Sequence, residues 1–393
     1  MAVSLALIIL LGLSSNVLFS KIKLPGLLGM LIVGIVIGPN MLNLISGEMI
    51  KASADFREMA LIVILLRAGF EISSKTIKKV GRTALLMSCI PALFEGAAIT
   101  LAAPYLLKIT YLEAAILGSI IAAVSPAVVV PYMIEFIQRG KGSDKEIPSL
   151  IIAASSVDDI FVIVIFSSLL GLYFGKNANV ALQLLEIPVS IILGIAIGAA
   201  LGIILCNLFK SYHMRDTKKV LIIIGISILL TWAENSAKNV IPFASLLGVM
   251  TIGAVILERY EVLAGRLSQK FSKIWVFAEI LLFVLVGAQV DIKVALNAGL
   301  MGAVVIITGL IGRSIGVYIS LLGSGLNFRE IIFCIISYIP KATVQAAIGA
   351  IPLSAGVKSG NLILAVAVMS IIITAPLGAI GIKYFGEKYL YYD

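Results

Sequence analysis

Apolar residues fill blocks of 17 to 29 positions from one end of the chain to the other, and the polar loops between them are short. An α-helix needs ~20 such residues to cross a hydrocarbon core of about 30 Å. The pattern predicts thirteen spans, at 2–18, 25–45, 55–71, 83–107, 112–138, 148–174, 180–208, 218–234, 241–258, 273–290, 294–322, 328–354 and 361–385. The expected fold class is therefore an all-α polytopic membrane protein of about 13 transmembrane helices, with no room for a soluble domain. No basic residue precedes the first span, Lys21 follows it, and no small-residue cleavage site is evident. That span is expected to be a retained helix, not a signal peptide.

Composition agrees with this reading. The chain of 393 residues is 60% hydrophobic and only 13% charged, against about 25% charged for soluble domains, and its mean hydropathy is +1.12. The basic residues test the alternation of spans. Loops after odd-numbered spans hold 20 of the 30 Lys and Arg residues, loops after even-numbered spans hold 7, and Arg67, Arg313 and Lys341 fall within spans. Positively charged loops stay in the cytoplasm. The bias predicts an N-terminus outside and a C-terminus inside a cytoplasmic membrane. The net charge of +9 then belongs to a face lying against anionic lipid. Nucleic-acid binding is a poor reading, because the charges are spread over seven loops. Cys89, Cys206 and Cys334 are far apart and His213 is the single histidine, so neither a disulfide framework nor a soft-metal site is expected.

Two spans are interrupted. Span 5 contains Val124-Ser125-Pro126-Ala127-Val128-Val129-Val130-Pro131, and span 12 contains Ile339-Pro340-Lys341-Ala342-Thr343-Val344-Gln345. Proline deletes a backbone donor and clashes with the preceding turn. Unwound backbone at bilayer depth is tolerated only where protein buries it or a cavity hydrates it. The two breaks lie seven spans apart, so they enter from opposite sides. This is the signature of inverted-topology repeats with two discontinuous crossing helices, here spans 4–6 and 11–13.

The chemistry gathers around these breaks. Asp158 and Asp159 sit side by side in span 6, in a stretch with no other charge between Ile147 and Lys176. One carboxylate at bilayer depth costs about 2.5–3.5 kcal/mol on insertion scales, and a second resists joint ionisation with the first. Adjacent helical positions point about 100° apart, so the two cannot do the same job. One is expected to face a fixed cation, Arg313 or Lys341, and the other a water-filled cavity. Glu95 in span 4 and Arg313 in span 11 occupy matching repeat positions and are expected to pair. Burial and Asp158 both disfavour ionisation of Asp159, so a proton and a small cation should compete for it near neutral pH. A hard monovalent cation takes oxygen ligands. Asp159, the hydroxyls of Ser125, Ser155 and Ser156, and freed carbonyls around Pro126, Ala127, Val128 and on to Val130 are the candidates, with the polar Thr343 at the second break. Glycines 194, 198 and 202 in span 7, and 312 and 316 in span 11, read as close helix packing. Arg67 and Glu71 are expected to snorkel at the end of span 3, Glu279 to make a helix contact, and Gln289 with Asp291 to line an outer entrance.

At these residues the chain resembles a known family. Leu66-Arg67-Ala68-Gly69, Ala123-Val124-Ser125-Pro126-Ala127-Val128-Val129-Val130-Pro131, Ile152-Ala153-Ala154-Ser155-Ser156-Val157-Asp158-Asp159-Ile160 and Pro340-Lys341-Ala342-Thr343-Val344-Gln345-Ala346-Ala347 are similar to the cation/proton antiporter superfamily, nearest its NHA-type sodium/proton branch. The resemblance implies a homodimer, with a dimerisation domain at 1–71 and 218–290, a core domain at 83–174 and 294–385 that moves like an elevator, and a linker helix at 175–217. It implies that Asp159 is the ion-binding aspartate, Asp158 its neighbour, Glu95 the acidic partner of Arg313, and Lys341 the basic group of the second broken helix. Arg313 stands where many electrogenic relatives carry lysine. Arginine does not release its proton, which puts the stoichiometry in question. The chain lacks the long tails of animal relatives, so a prokaryotic origin is expected.

The expected function is exchange of Na⁺, and of Li⁺, for H⁺ without a cofactor. A K⁺/H⁺ antiporter of the same fold is the alternative that sequence leaves open. An organic-anion symporter is disfavoured because two carboxylates repel an anion, and a channel because titratable groups are buried at interrupted helices. No nucleophile–base set suggests an enzyme.

Overall fold

In a computed structural model, residues 1–22, 24–70, 74–142, 144–175, 180–237 and 243–391 are described, with backbone only at 74–80, 127, 138, 156, 160, 180–188, 191, 235 and 237. Lys23, Glu71, Lys176 and Lys238 therefore lie outside the described residues, as do the side chains of Ala127 and Ser156. The regular elements among the described residues are all helices. They are α1 (Ala2–Lys21), α2 (Gly26–Ile37), α3 (Gly47–Lys51), α4 (Ser53–Gly69), α5 (Ser74–Leu107), α6 (Tyr111–Ile121), α7 (Pro126–Gln138), α8 (Ile147–Phe174) and α9 (Val180–Ser211). The remainder are α10 (Asp216–Ala237), α11 (Ser245–Arg259), α12 (Glu261–Gln289), α13 (Ile292–Ser320), α14 (Phe328–Ser337), α15 (Thr343–Ile348), α16 (Ile351–Ala355) and α17 (Gly360–Tyr389).

Seven segments among the described residues are long and apolar enough to cross a membrane, and α1, α8, α12, α13 and α17 qualify over their whole length. Large apolar side chains such as Leu101, Leu300 and Ile380 are left exposed. Water would penalise such faces, whereas lipid tails accept them. Predicted span 2 is shorter than expected. Its helix stops at Ile37 because Gly38 precedes Pro39, and a residue before proline is pushed out of the helical region. Spans 5 and 12 divide as the prolines demand, into α6 and α7 and into α14, α15 and α16.

By contact the chain forms two compact units. One comprises Asp55–Lys78 and Phe174–Leu281. Within it α9 packs on α11 through glycine: a Cβ on Gly194 or Gly198 would collide with the carbonyl oxygens of Ala244 or Gly248. Small residues let membrane helices approach to backbone contact, where dispersion is strongest. At a polar end of the same unit, Arg266 Nε donates to Asp216 Oδ2 at 2.9 Å.

The other unit comprises Met1–Ala54, Lys79–Tyr173 and Leu282–Asp393 and carries the internal repeat. α5 bends at Gly81 (φ 54°) and α13 at Gly299 (φ 24°), each a backbone conformation that glycine adopts without a Cβ penalty. α6 starts on a capping box, Thr110 with Glu113, and α14 on another, Asn327 with Glu330. Such boxes satisfy helix-end donors reciprocally, so each half-helix begins at a fixed point. Glu95 meets Arg313, and Ser125 meets Thr343, across the same separation of 218 residues. Both contacts join the first half of the repeat to the second at the breaks.

α5 and α13 cross closely beside the Glu95–Arg313 contact. A Cβ on Gly312 would lie 2.7 Å from the Phe94 carbonyl oxygen, and one on Gly316 2.6 Å from the Pro91 Cα. Overpacking a tight contact costs about 1–3 kcal/mol. Gly312→Val should lower the thermal midpoint in detergent by that equivalent, whereas Gly171→Ala, with open space around its site, should leave the midpoint unchanged.

Candidate functional site

The site is built where the two breaks cross. α6 ends at Ile121 and α7 begins at Pro126, leaving Ala122 to Ser125 unwound. α14 ends at Ser337 and α15 begins at Thr343, leaving Tyr338 to Ala342 unwound. The first break lies before the proline, where it was expected around Pro126, Ala127 and Val128. Those three residues form the first turn of α7, because proline's fixed φ and missing donor suit a helix start. The freed carbonyls thus belong to Ile120 through Ala123.

Every one of those carbonyls has a partner. Gln345 Nε2 donates to Ile120 O at 3.0 Å, Ile121 O at 3.2 Å and Ala123 O at 2.9 Å. Arg313 Nη2 donates to Ala122 O. The two unwound segments are also joined directly, with Ser125 N donating to Pro340 O at 2.9 Å. Leaving such groups unpaired in hydrocarbon costs several kcal/mol each. Gln345 and Arg313 therefore hold the break open without breaking the backbone's hydrogen-bond account.

Five ionisable side chains converge here, all with 8% or less of their surface exposed: Glu95, Asp158, Asp159, Arg313 and Lys341. Arg313 Nε donates to Glu95 Oε2 at 2.6 Å. Its Nη2 donates to Asp158 Oδ2 at 3.1 Å and Oδ1 at 3.3 Å. Asp158 Oδ2 also accepts from the Val124 backbone N–H at 2.8 Å. Lys341 Nζ donates to Glu95 Oε2 at 2.6 Å. The fixed cation of Asp158 is thus Arg313, while Lys341 turns to Glu95. Asp159 differs from the other four in that no salt bridge among the described residues includes it. Its Oδ1 is buried with no hydrogen-bond partner among those residues, as are Glu95 Oε1 and Arg313 Nη1.

The two repeats use one backbone device with different side chains. In the first, the N–H of Val124 donates to Asp158; in the second, the N–H of Lys341 donates to Thr374 Oγ1 at 2.9 Å. The fold needs only an acceptor at that point, and threonine provides it. A carboxylate in the first repeat is therefore more than the architecture requires.

The serines divide. Ser125 Oγ lies 3.4 Å from Thr343 Oγ1 and accepts from the Thr343 N–H at 3.5 Å. Ser155 Oγ donates to Ile152 O at 3.1 Å, the ordinary back-bond of a helical serine. The Ser156 side chain lies outside the described residues. Away from the crossing, Gln289 Nε2 donates to Ser53 Oγ beside an open cavity of about 420 Å³ lined by Asn40, Lys51 and Ser354 among others. Asp291 caps α13 by accepting from the Lys293 N–H at 2.9 Å.

Removing one partner of a buried ion pair costs about 3–5 kcal/mol, because the other charge is stranded. Arg313→Ala should therefore destabilise strongly, and Glu95→Gln added to it should recover part of the loss. A thermal-shift double-mutant cycle should give a coupling of about 0.5–3 kcal/mol; simple additivity would refute the energetic pairing.

Comparison with known proteins extends this picture along the whole chain. The sequence profile of the family described as "Sodium/hydrogen exchanger, transmembrane" matches residues 4–388. Human "Sodium/hydrogen exchanger 9B2" is 32% identical over 384 residues, spanning 93% of this chain and 70% of that protein. Human "Sodium/hydrogen exchanger 9B1" is 30% identical over 390 residues, spanning 94% and 74%. The solved structure of the sodium proton antiporter MjNhaP1 from Methanocaldococcus jannaschii at pH 8 superposes with a TM-score of 0.83 over 98% of this chain and 97% of that one. The identity there is 21%, so that likeness speaks to architecture alone. With the architecture shared and the profile matched over nearly its full length, this chain belongs to the sodium/hydrogen exchanger family.

Proposed function

We propose that the protein is a Na⁺/H⁺ antiporter, also accepting Li⁺, in which the two ions compete for Asp159. Family membership supports the class of reaction. The observation that carries the site is the charge balance at the crossing. Arg313 and Lys341 carry two positive charges, and Glu95 and Asp158, to which they are bonded, carry two negative charges. The four cancel. Asp159 alone then decides the net charge of the site: minus one when it is ionised and empty, zero when it holds a proton or a monovalent cation.

That arithmetic produces obligatory exchange. Moving an uncompensated charge through a low-dielectric barrier is expensive, so the crossing moves only when Asp159 is occupied. A proton or a sodium ion satisfies the condition equally, and each excludes the other. The motion is an elevator-type displacement of the core at 83–174 and 294–385 against a scaffold at 1–71 and 218–290, which pairs two copies as a homodimer, with 175–217 as the linker helix. The N-terminus faces outside and the C-terminus the cytoplasm, as the distribution of basic loops supports. Because the arginine at 313 keeps its proton, one proton moves per cation and the cycle carries no net charge.

Asp159→Asn should abolish ΔpH-driven Na⁺ flux in proteoliposomes while the thermal midpoint holds; persistent Na⁺-dependent proton flux would defeat the assignment. Competition also fixes a sign. Lowering pH fills the carboxyl with protons, so the apparent KM for Na⁺ should rise, by about tenfold per pH unit in the acidic range, with the maximal rate preserved. Clamping the membrane potential at either polarity should leave the flux unchanged, and running Li⁺, Na⁺ and K⁺ in the same liposomes reads the selectivity.

A further inference from the structure

The end of α7 that lies away from the crossing is strapped to α17 by charge. Arg139, just past α7, donates from Nη1 to Glu387 Oε1 at 2.5 Å and from Nη2 to Glu387 Oε2 at 3.0 Å. Lys141, only 3% exposed, bonds the same carboxylate and reaches the Glu387 carbonyl oxygen at 3.3 Å. Backbone continues the strap: the Gly142 N–H donates to Tyr391 O at 2.9 Å. Arg329 Nη1, on α14, donates to the Tyr391 hydroxyl at 3.0 Å. Glu135 on α7 shares Arg139 at 3.1 Å.

Apolar packing lies directly inside this strap. A Cβ on Gly386 would stand 2.3 Å from the Phe136 ring, and one on Gly142 would stand 3.1 Å from Leu390 Cδ2. Phe136, Ile147 and Leu390 belong to the buried cluster that runs inward to Val124 and Tyr338 at the two breaks. Ser125, at the other end of α7, is stitched to Pro340. The strapped turn leads straight into α8, which carries Asp158 and Asp159.

The repeat shows that this join needs no ion pair. In the first repeat the end of α8 grips the residues leading into α17. There the Lys358 N–H donates to the Tyr173 hydroxyl and the Ser359 N–H to Glu113 Oε1, each at 3.2 Å. In the second repeat the end of α17 grips the turn leading into α8. Glu113 and Glu330 hold equivalent places in the two capping boxes. No salt bridge among the described residues includes Glu113, whereas Glu330 Oε2 accepts from Lys145 Nζ at 2.9 Å. A carboxylate held by neutral donors is little affected by salt. Ion pairs as open as Arg139 (35% exposed) with Glu387 (40%) are screened by it.

We propose that this strap is an ionic latch, closed at low salt and loosened by the alkali cation that accumulates on its own side of the membrane. Closed, it restrains the far end of α7 and the start of α8. Screened, it gives that end the freedom that the stitched crossing lacks, and exchange speeds up. The transported cation is then also the signal that raises turnover. By the topology proposed above the latch faces the cytoplasm, and the inference rests on that reading and on the antiporter function.

Choline chloride screens charge without being the transported ion. In proteoliposomes at constant Na⁺ and osmolarity, raising it on both faces from about 0.01 M to about 0.15 M shortens the Debye length from ~30 Å to ~8 Å. The maximal rate should rise about threefold, the scale of one screened surface pair. Glu387→Gln should start at the raised rate and ignore salt. Arg139→Gln leaves Lys141 on the carboxylate and should respond about half as strongly, which also serves if Glu387→Gln folds poorly. A parent rate unmoved by choline would overturn the latch, as would a Glu387→Gln protein that responds like the parent. Backbone hydrogen exchange over 139–150 reads the latch without transport: it should quicken with salt in the parent and be fast throughout in Glu387→Gln. If it does so while no Na⁺-dependent proton flux is seen, the antiporter reading fails and the latch stands. A salt response from the external face alone would overturn the topology instead.

Discussion

A charge stripped of water must be answered by another charge within bonding distance, and this requirement organises the protein's centre. Glu95 is the pivot. Its Oε2 accepts both Arg313 Nε and Lys341 Nζ at 2.6 Å, tying α5 to α13 and to the second unwound segment. Arg313 passes the connection on to Asp158 on α8 and to the Ala122 carbonyl. One carboxylate and one guanidinium thereby fix five pieces of chain: α5, α8, α13 and the two unwound segments. Replacing such a set with hydrocarbon is often neutral for stability. In the proposed mechanism it is the fixed background against which Asp159 changes the charge of the site.

The inverted repeat explains how such a cluster can be assembled. Two copies of one motif bring their breaks together, and contacts between the halves join Glu95 to Arg313 and Ser125 to Thr343. Divergence between the copies then turns symmetry into chemistry. An acid meets a base at one pair, and an aspartate in one half answers to a threonine in the other. The glycines that allow α13 to lie against α5 serve the same end, since a side chain at Gly312 would push the backbone of Phe94 away and carry Glu95 with it.

Much of this was legible in the sequence, for identifiable reasons. Long apolar blocks declare membrane helices, prolines at 126 and 340 declare breaks, and charges inside apolar blocks declare a site because lipid excludes them. The position of the first break was misjudged by a few residues, because a proline marks a helix start as readily as a helix end. The partner of Lys341 was not legible, since the direction in which a side chain leaves unwound backbone depends on the opposing segment. Gln345 gave only the signal of a polar residue near a break; its role as donor to three carbonyls needs the crossing itself.

The amide of Gln345 has a mechanical consequence. It belongs to one repeat and is sewn to three carbonyls of the other, while the backbone of Ser125 is hooked to that of Pro340. Neither broken helix can slide, tilt or rewind without tearing these stitches in a medium that offers no replacement. The two breaks therefore form one rigid piece, and whatever give the structure possesses has to be found outside it.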